Sequence, residues 1–332
     1  MNGGVGGRWL VTGGAGFIGS HLCDALLAAG GRVTVVDDLS TGLRSNLDAA
    51  FGRHGDRLEF IEGKASRAVT HLDPSAFDGI FHLAAAVGVR LVVEDPVSAA
   101  ETNVHETSAV LGFAAQRRTP FLLASSSEVY GKGIRVPFRE DDDVVFGPPS
   151  VSRWSYGISK ALDEHLALSH GARGGFPVVV ARLFNTVGPR QRGRYGMVLP
   201  RFVSAALDGR PLEVHGTGRQ VRCFCDVRDV MSALASLLAT PACHGRVFNL
   251  GSDRPLTVED LANAVLRVTR SRSAIVHVPH AEVFGSSFED LAIRVPDLAR
   301  IRSAIGFEAS IESDRTIADV AAAGAGVAGG AA

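Results

Sequence analysis

The chain has 332 residues, enough for about two domains with a cleft between them. Charged residues at 21% and hydrophobic ones at 46% are the composition of a globular protein, and a net charge of -1 leaves no general electrostatic footprint for nucleic acid. No apolar run reaches the ~18 residues of a spanning helix, so neither nucleic acid nor membrane is expected as a partner.

The Gly/Ala-rich opening MNGGVGG and closing AAAGAGVAGGAA (321–332) lack amphipathic punctuation and are expected to be tails, the second within a low-complexity segment 316–332. From Arg8 the chain reads as a strand (WLVT), a Gly-rich turn, a helix to about Gly30 and a strand RVTVVD ending at Asp37, which is one βαβ unit. Apolar strands follow at 79–85, 121–125 and 177–182, each separated by room for a helix. That alternation predicts an α/β fold with a doubly wound parallel sheet. Beyond Arg182 the pattern loosens into short strands, helices at 198–208, 227–239 and 257–269, and Gly/Arg/Pro loops. A smaller α/β substrate-binding lobe is expected there, from 183–224 and 251–315, with 225–250 returning to the first domain and the two interleaved.

Gly13, Gly16 and Gly19 stand at G-x-x-G-x-x-G spacing between that first strand and its helix. The first allows the tight turn, the second lets backbone approach a pyrophosphate, and the third permits close helix–strand packing at a helix N-terminus rich in free N–H donors, which makes Phe17 and Ile18 candidate contacts. Asp37 follows Gly19 by 18 residues at the end of the second strand, where its carboxylate can accept from an adenosine ribose. It would repel a 2′-phosphate, and Asp38 stands where a phosphate-binding Arg would be needed. Residues 1–182 are therefore expected to be a Rossmann domain that binds NAD rather than NADP, with Leu83 and Ala84 at the end of the 79–85 strand also against the cofactor.

Tyr156 and Lys160 lie four apart at a predicted helix start, so both project from one face. The glycine spacing joined to this Y-x-x-x-K resembles the extended short-chain dehydrogenase/reductase family over roughly residues 8–310. The resemblance implies NAD, a nucleotide-sugar substrate, and a homodimer through the helices near 95–117 and 155–171. A tyrosine with pKa about 10 needs roughly 4 kcal/mol of phenolate stabilisation to ionise near neutrality. One cation ~4–6 Å away gives about 3–4 kcal/mol at an effective dielectric near 20, so Lys160 is expected to lower the Tyr156 pKa together with oxidised nicotinamide.

Within that family the segment Ser125-Ser126-Ser127-Glu128-Val129-Tyr130-Gly131 is informative. The pair Ser127-Glu128 resembles UDP-glucuronic acid decarboxylases (UDP-xylose synthases), as do Arg153-Trp154-Ser155-Tyr156, Arg222-Cys223-Phe224 and Arg294 before Val295-Pro296. The resemblance implies that Ser126 bonds the reacting hydroxyl, that Glu128 orients the sugar and manages proton transfer, and that Arg294 holds its carboxylate. It also places Asn185 and Arg222 on the UDP diphosphate; for the cluster Arg190, Arg192 and Arg194 two readings stay open, a contribution to that site, with Arg190 as its candidate ligand, or a solvated loop. The implied reaction is decarboxylation of UDP-glucuronate through a C4 ketone, giving UDP-xylose or UDP-4-keto-pentose. A UDP-sugar 4-epimerase is the alternative enzyme, and a non-catalytic NAD-sensing module the alternative from another class. The four cysteines (Cys23, Cys223, Cys225, Cys243) lack C-x-x-C spacing and the eleven histidines lack ligand spacing, so no metal site is expected and a reducing, cytoplasmic setting is.

Overall fold

The computed structural model describes residues 6–86, 95–193, 196–284 and 291–328. Six strands, Arg8–Thr12 (β1), Arg32–Asp37 (β2), Leu58–Glu62 (β3), Gly79–His82 (β4), Phe121–Ser126 (β5) and Val178–Leu183 (β6), join Arg246–Leu250 in one parallel sheet. Its order is Arg246–Leu250, β6, β5, β4, β1, β2, β3. The order reverses beside β1, so the C-terminal ends of β1 and β4 part and leave the crevice in which such sheets bind ligands.

Side chains alternate across a strand, and the two faces have separate cores. Val11, Leu122, Val179 and Ala181 pack with Leu22, Leu26 and Leu27 of helix α1 (Phe17–Ala28) and with Val230, Leu234 and Leu237 of the helix Val227–Ala239. Their neighbours Leu10, Phe121, Leu123, Val178 and Val180 pack the opposite way, against Val110, Leu111, Phe113 and Ala114 of α2 (Pro96–Arg117) and Ala167 of α3 (Trp154–Gly174). The near-continuous apolar strands of the sequence are thus covered on both sides. Cys223 and Cys225 are buried and unpaired.

A third core joins the helices Val198–Leu207 and Val258–Thr269 to the strand Leu212–His215, through Phe202, Val203, Leu212, Val214, Leu261 and Val265. A three-stranded sheet beside it orders Pro255–Thr257, Val221–Cys223 and Ile293–Arg294. Two expectations are corrected here. The strand expected at 79–85 ends at His82, because Leu83 and Ala84 turn across the Gly-rich loop. The segment 316–332 is not simply a tail: a helix spans Ser313–Ala328, and it buries Thr316, Ile317 and Val320. Thr316 donates to Asp226 at 2.7 Å, and Asp319 pairs with Arg228 at 2.8 Å. The Ala/Gly composition hid the short apolar stripe of Ile317, Val320 and Ala321.

Two buried aliphatic side chains are worth about 1.5–3 kcal/mol each. Truncation after Glu312 is therefore expected to lower the calorimetric unfolding midpoint. An unchanged midpoint would show that the helix adds nothing to the fold.

Candidate active site

A cavity of about 750 Å³ runs from the Gly-rich loop, past the ends of β5 and α3, to the three-stranded sheet. At its first end Gly13 has φ +71°, and a Cβ there would lie 2.7 Å from the Ala84 nitrogen. A Cβ on Gly19 would lie 2.1 Å from the Gly13 carbonyl oxygen. No side chain caps α1 and no acid occupies its first turn, so the amides around Phe17, Ile18 and Gly19 keep their capacity for an anion. Asp37 is buried and accepts from the Ala15 and Leu39 amides at 2.9 and 2.8 Å. Burial pushes its carboxyl above the usual range, opposed by those two bonds. Asp38 lines the cavity too, while its Oδ1 accepts from Ser40. The cradle fits a dinucleotide: backbone close enough for a pyrophosphate, with a carboxylate at the tip of β2 for ribose hydroxyls.

At the centre, Ser126 ends β5 and its hydroxyl bonds the Tyr156 oxygen from the first turn of α3. The close approach depends on Gly157, where a Cβ would lie 2.5 Å from the Glu128 carbonyl oxygen. The expected stabilisation of a Tyr156 phenolate by Lys160 is not what this geometry shows. Burial pushes the Tyr156 hydroxyl above the ordinary tyrosine range, the charge of Glu128 pushes it further, and the Ser126 bond opposes both. Lys160 is turned to Asp163, 2.9 Å away, with both side chains almost completely buried. Its charge is largely compensated there, and it is not among the groups that shift Tyr156 most.

Glu128 stands in the one-turn 3-10 helix that follows β5, among cations. Its Oε1 lies 2.8 Å from Arg294 Nη1 and its Oε2 3.5 Å from Arg153 Nη2. Burial opposes its ionisation, but Arg294 and Arg153 outweigh that and bring its pKa down to about 2, with Arg222 assisting. It is held here as an ionised acceptor. Ser127 Oγ accepts weakly from Arg294 at 3.4 Å. Arg222 and Arg294, 72 positions apart, are register partners in the three-stranded sheet. Asn185 lines the cavity with a buried Oδ1 that has no hydrogen-bond partner. Arg190 lines it as well: its Nη2 is held by Asp24 of α1 at 2.7 Å, while its Nη1 is buried without a hydrogen-bond partner. Arg192 also faces the cavity, and Arg194 lies outside the described residues. Among the described residues no cluster has the makings of a metal site.

The model of the NAD dependent epimerase/dehydratase family matches residues 9–251. The chain belongs to this family. Among its relatives, a UDP-N-acetyl-alpha-D-glucosaminuronate decarboxylase of Bacillus cytotoxicus is 38% identical over 92% of this chain and 93% of its own. UDP-glucuronic acid decarboxylase 1 of Arabidopsis thaliana is 33% identical over 92% of this chain and 66% of that longer one. Among solved structures, a UDP-glucose 4-epimerase of Thermotoga maritima superposes with a TM-score of 0.85 at 27% identity, covering 97% of this chain and 99% of that one.

Two site residues of this family member were not singled out from the sequence as acting groups. Arg153 was legible only as part of the run into Tyr156, and Asp163 only as the i+3 neighbour of Lys160. A carboxylate near the phenol disfavours its ionisation. Glu128→Gln is therefore expected to let Tyr156 deprotonate at lower pH than in the wild type, seen as phenolate absorbance in difference against Tyr156→Phe. An unmoved titration would mean that the Glu128 charge does not reach the phenol.

Proposed function

We propose that this protein decarboxylates a UDP-hexuronate, UDP-glucuronate in the first instance, with NAD as its resident cofactor. The observation that carries this reading is Glu128 clamped between Arg294 and Arg153 beside the Tyr156–Ser126 pair. Oxidation at a sugar hydroxyl needs only the pair. Guanidinium groups in a pocket beside it suit a substrate with a carboxylate near the reacting carbon. The match to two decarboxylases across most of the chain supports the same conclusion.

NAD, when bound, would supply the hydride acceptor for C4 and the hydride donor once carbon dioxide has left. The positive charge of bound NAD would join Lys160 in offsetting the burial that raises the Tyr156 hydroxyl, so that Tyr156 can take the C4 hydroxyl proton as its phenolate while Ser126 holds the oxygen. The C4 ketone lies β to the C6 carboxylate, so when the C5–C6 bond breaks its electron pair enters a C4 enolate, which hydrogen bonds from Tyr156 and Ser126 stabilise. C5 then takes up a proton. Arg294 positions the carboxylate, Glu128 fixes that guanidinium, and Asn185 with Arg222 holds the diphosphate. Gly13, Gly16, Phe17, Ile18, Gly19, Asp37, Asp38, Leu83 and Ala84 hold the cofactor, and Lys160 steadies its nicotinamide end. Completed reduction gives UDP-xylose, and earlier release gives UDP-4-keto-pentose. We further propose a homodimer, supported by exposed Ile158 and Leu162 one turn apart on α3 and exposed Val97 on α2, and a cytoplasmic setting, supported by four free, buried thiols.

The 38% identity to an enzyme named for a 2-acetamido uronate favours one second reading, in which the sugar carries that group at C2. Mass spectrometry after incubation of the enzyme and NAD with each UDP-uronate decides. Loss of carbon dioxide is expected, an isomer of equal mass would make the protein an epimerase, and no change with either would make it a non-catalytic NAD-binding module. Tyr156→Phe is expected to abolish carbon dioxide release while retaining UDP-glucuronate, because only the ionisable oxygen is lost. Release at the wild-type rate would remove Tyr156 from the reaction.

A further inference from the structure

Lys160 and Asp163 lie one turn apart on α3, 2.9 Å from each other, with side chains 1% and 0% exposed. A lysine shut away from water to that degree sheds its proton readily, because burial penalises the ammonium and not the neutral amine. What surrounds it decides the outcome. Burial brings the pKa of His82, at the end of β4, down to about 3, and the charge of Lys160 lowers it further, so the imidazole is neutral. Both its ring nitrogens are engaged by hydroxyls, Nδ1 by Thr12 at 2.7 Å and Nε2 by Thr107 at 3.1 Å. The other carboxylates on the elements packed here are committed elsewhere. Glu106 of α2 accepts from the Ser66 amide and hydroxyl, Glu164 of α3 is paired with Arg182 of β6, and Glu128 after β5 is paired with Arg294.

Asp163 is the carboxylate in contact with the ammonium. Burial pushes its carboxyl above the usual range, and the charge of Lys160 is the strongest influence the other way. Each partner thereby keeps the other ionised, and removing one strands a buried charge. We propose that Asp163 is a positioning residue for the oxidation step: it keeps Lys160 an ammonium and fixes where that charge sits, one turn from Tyr156. Asp163 is fully buried, so it acts through Lys160 and not on a ligand. This rests on the proposed oxidation of a sugar hydroxyl by NAD and adds to it the group on which the charge of Lys160 depends.

Urea unfolding of the full chain as a function of pH tests the pair without a substrate, in a Tyr156→Phe background so that no phenol titrates beside it. A buried ammonium without its carboxylate has a folded-state pKa below its unfolded value, so the unfolded chain binds more protons in that window and stability climbs with pH. Asp163→Asn is therefore expected to gain on its parent between about pH 7 and 10, roughly tenfold or more in the folding equilibrium for each unit by which the lysine pKa has dropped. The gain is expected to vanish when Lys160→Met is added, since the amine is then gone. A loss of the same size at every pH is what a merely structural role would give, and it overturns the proposal. Should Asp163→Asn be unfolded at pH 7, recovery on raising the pH to about 10 carries the same meaning as the gain, and no recovery overturns it. A second arm, with Tyr156 intact, follows the pre-steady-state reduction of bound NAD on adding UDP-glucuronate. The ratio of the Asp163→Asn rate to the wild-type rate is expected to fall roughly tenfold or more from about pH 6 to 9, as Lys160 loses its charge. A constant ratio beside a stability gain shows that the charge is idle in oxidation, and the positioning role fails. If the wild type reduces no NAD with this substrate while the stability arm comes out as expected, the function proposed above fails and the dependence of Lys160 on Asp163 stands.

Discussion

Among the described residues six arginines line one cavity, and three of them, Arg153, Arg222 and Arg294, act on the carboxylate of Glu128. Guanidinium groups brought together in a poorly hydrated cleft repel one another and lose hydration, and an ionised partner placed between them offsets part of both costs. Glu128 is ionised at any physiological pH, because the attraction of Arg294 and Arg153 outweighs the penalty of its burial. Burial, with the same carboxylate adding to it, holds the Tyr156 hydroxyl above the ordinary tyrosine range.

The position of Glu128 depends on how α3 meets the end of β5. Glu164 of α3 accepts from Ser125 Oγ at 2.5 Å and forms a forked pair with Arg182 of β6, Nη2 to Oε2 at 2.7 Å. Arg182 lies over the Tyr130 ring, 4.7 Å from its centre, and Tyr130 donates to Asn249 Oδ1 at 2.7 Å. Side chains from β5, β6, α3 and the strand Arg246–Leu250 are thereby tied together directly beneath Ser126 and Tyr156. A buried network in which most polar groups are satisfied costs desolvation but allows little alternative geometry. Placement to within fractions of an ångström is what a proton transfer between Tyr156 and a sugar hydroxyl requires. The Lys160–Asp163 pair extends the same logic one turn along α3.

A sheet of this order with a cleft at its reversal point serves many reactions, and the shared framework does not choose among them. Oxidation at C4 is common ground for epimerisation and decarboxylation alike. On the proposed reading the choice between them falls to side chains around the carbon next to it, among them Glu128 and Arg294, which come from distant parts of the chain.

Much of the protein was legible in its residues because the signals are local. Glycine spacing between a strand and a helix, a carboxylate at the next strand end and apolar runs separated by helix-length segments each follow from backbone geometry within about 30 residues. The Rossmann sheet, the cofactor cradle, the Tyr156–Lys160 face and the approach of Ser126 to Tyr156 needed little more. What only the tertiary structure decided involves charges that meet across long separations. Arg294 joins Arg222 through sheet register, and Glu128 is captured between arginines 25 and 166 positions away in the chain. Arg190 is taken by Asp24, Lys160 by Asp163, and a run of alanines near the end becomes a packed helix because Ile317 and Val320 find a core. Spacing places a side chain on a face, but its electrostatic partner depends on which other charge the fold brings within a few ångströms, and Coulomb attraction in a low-dielectric cleft is too steep in distance and burial to be read from sequence separation.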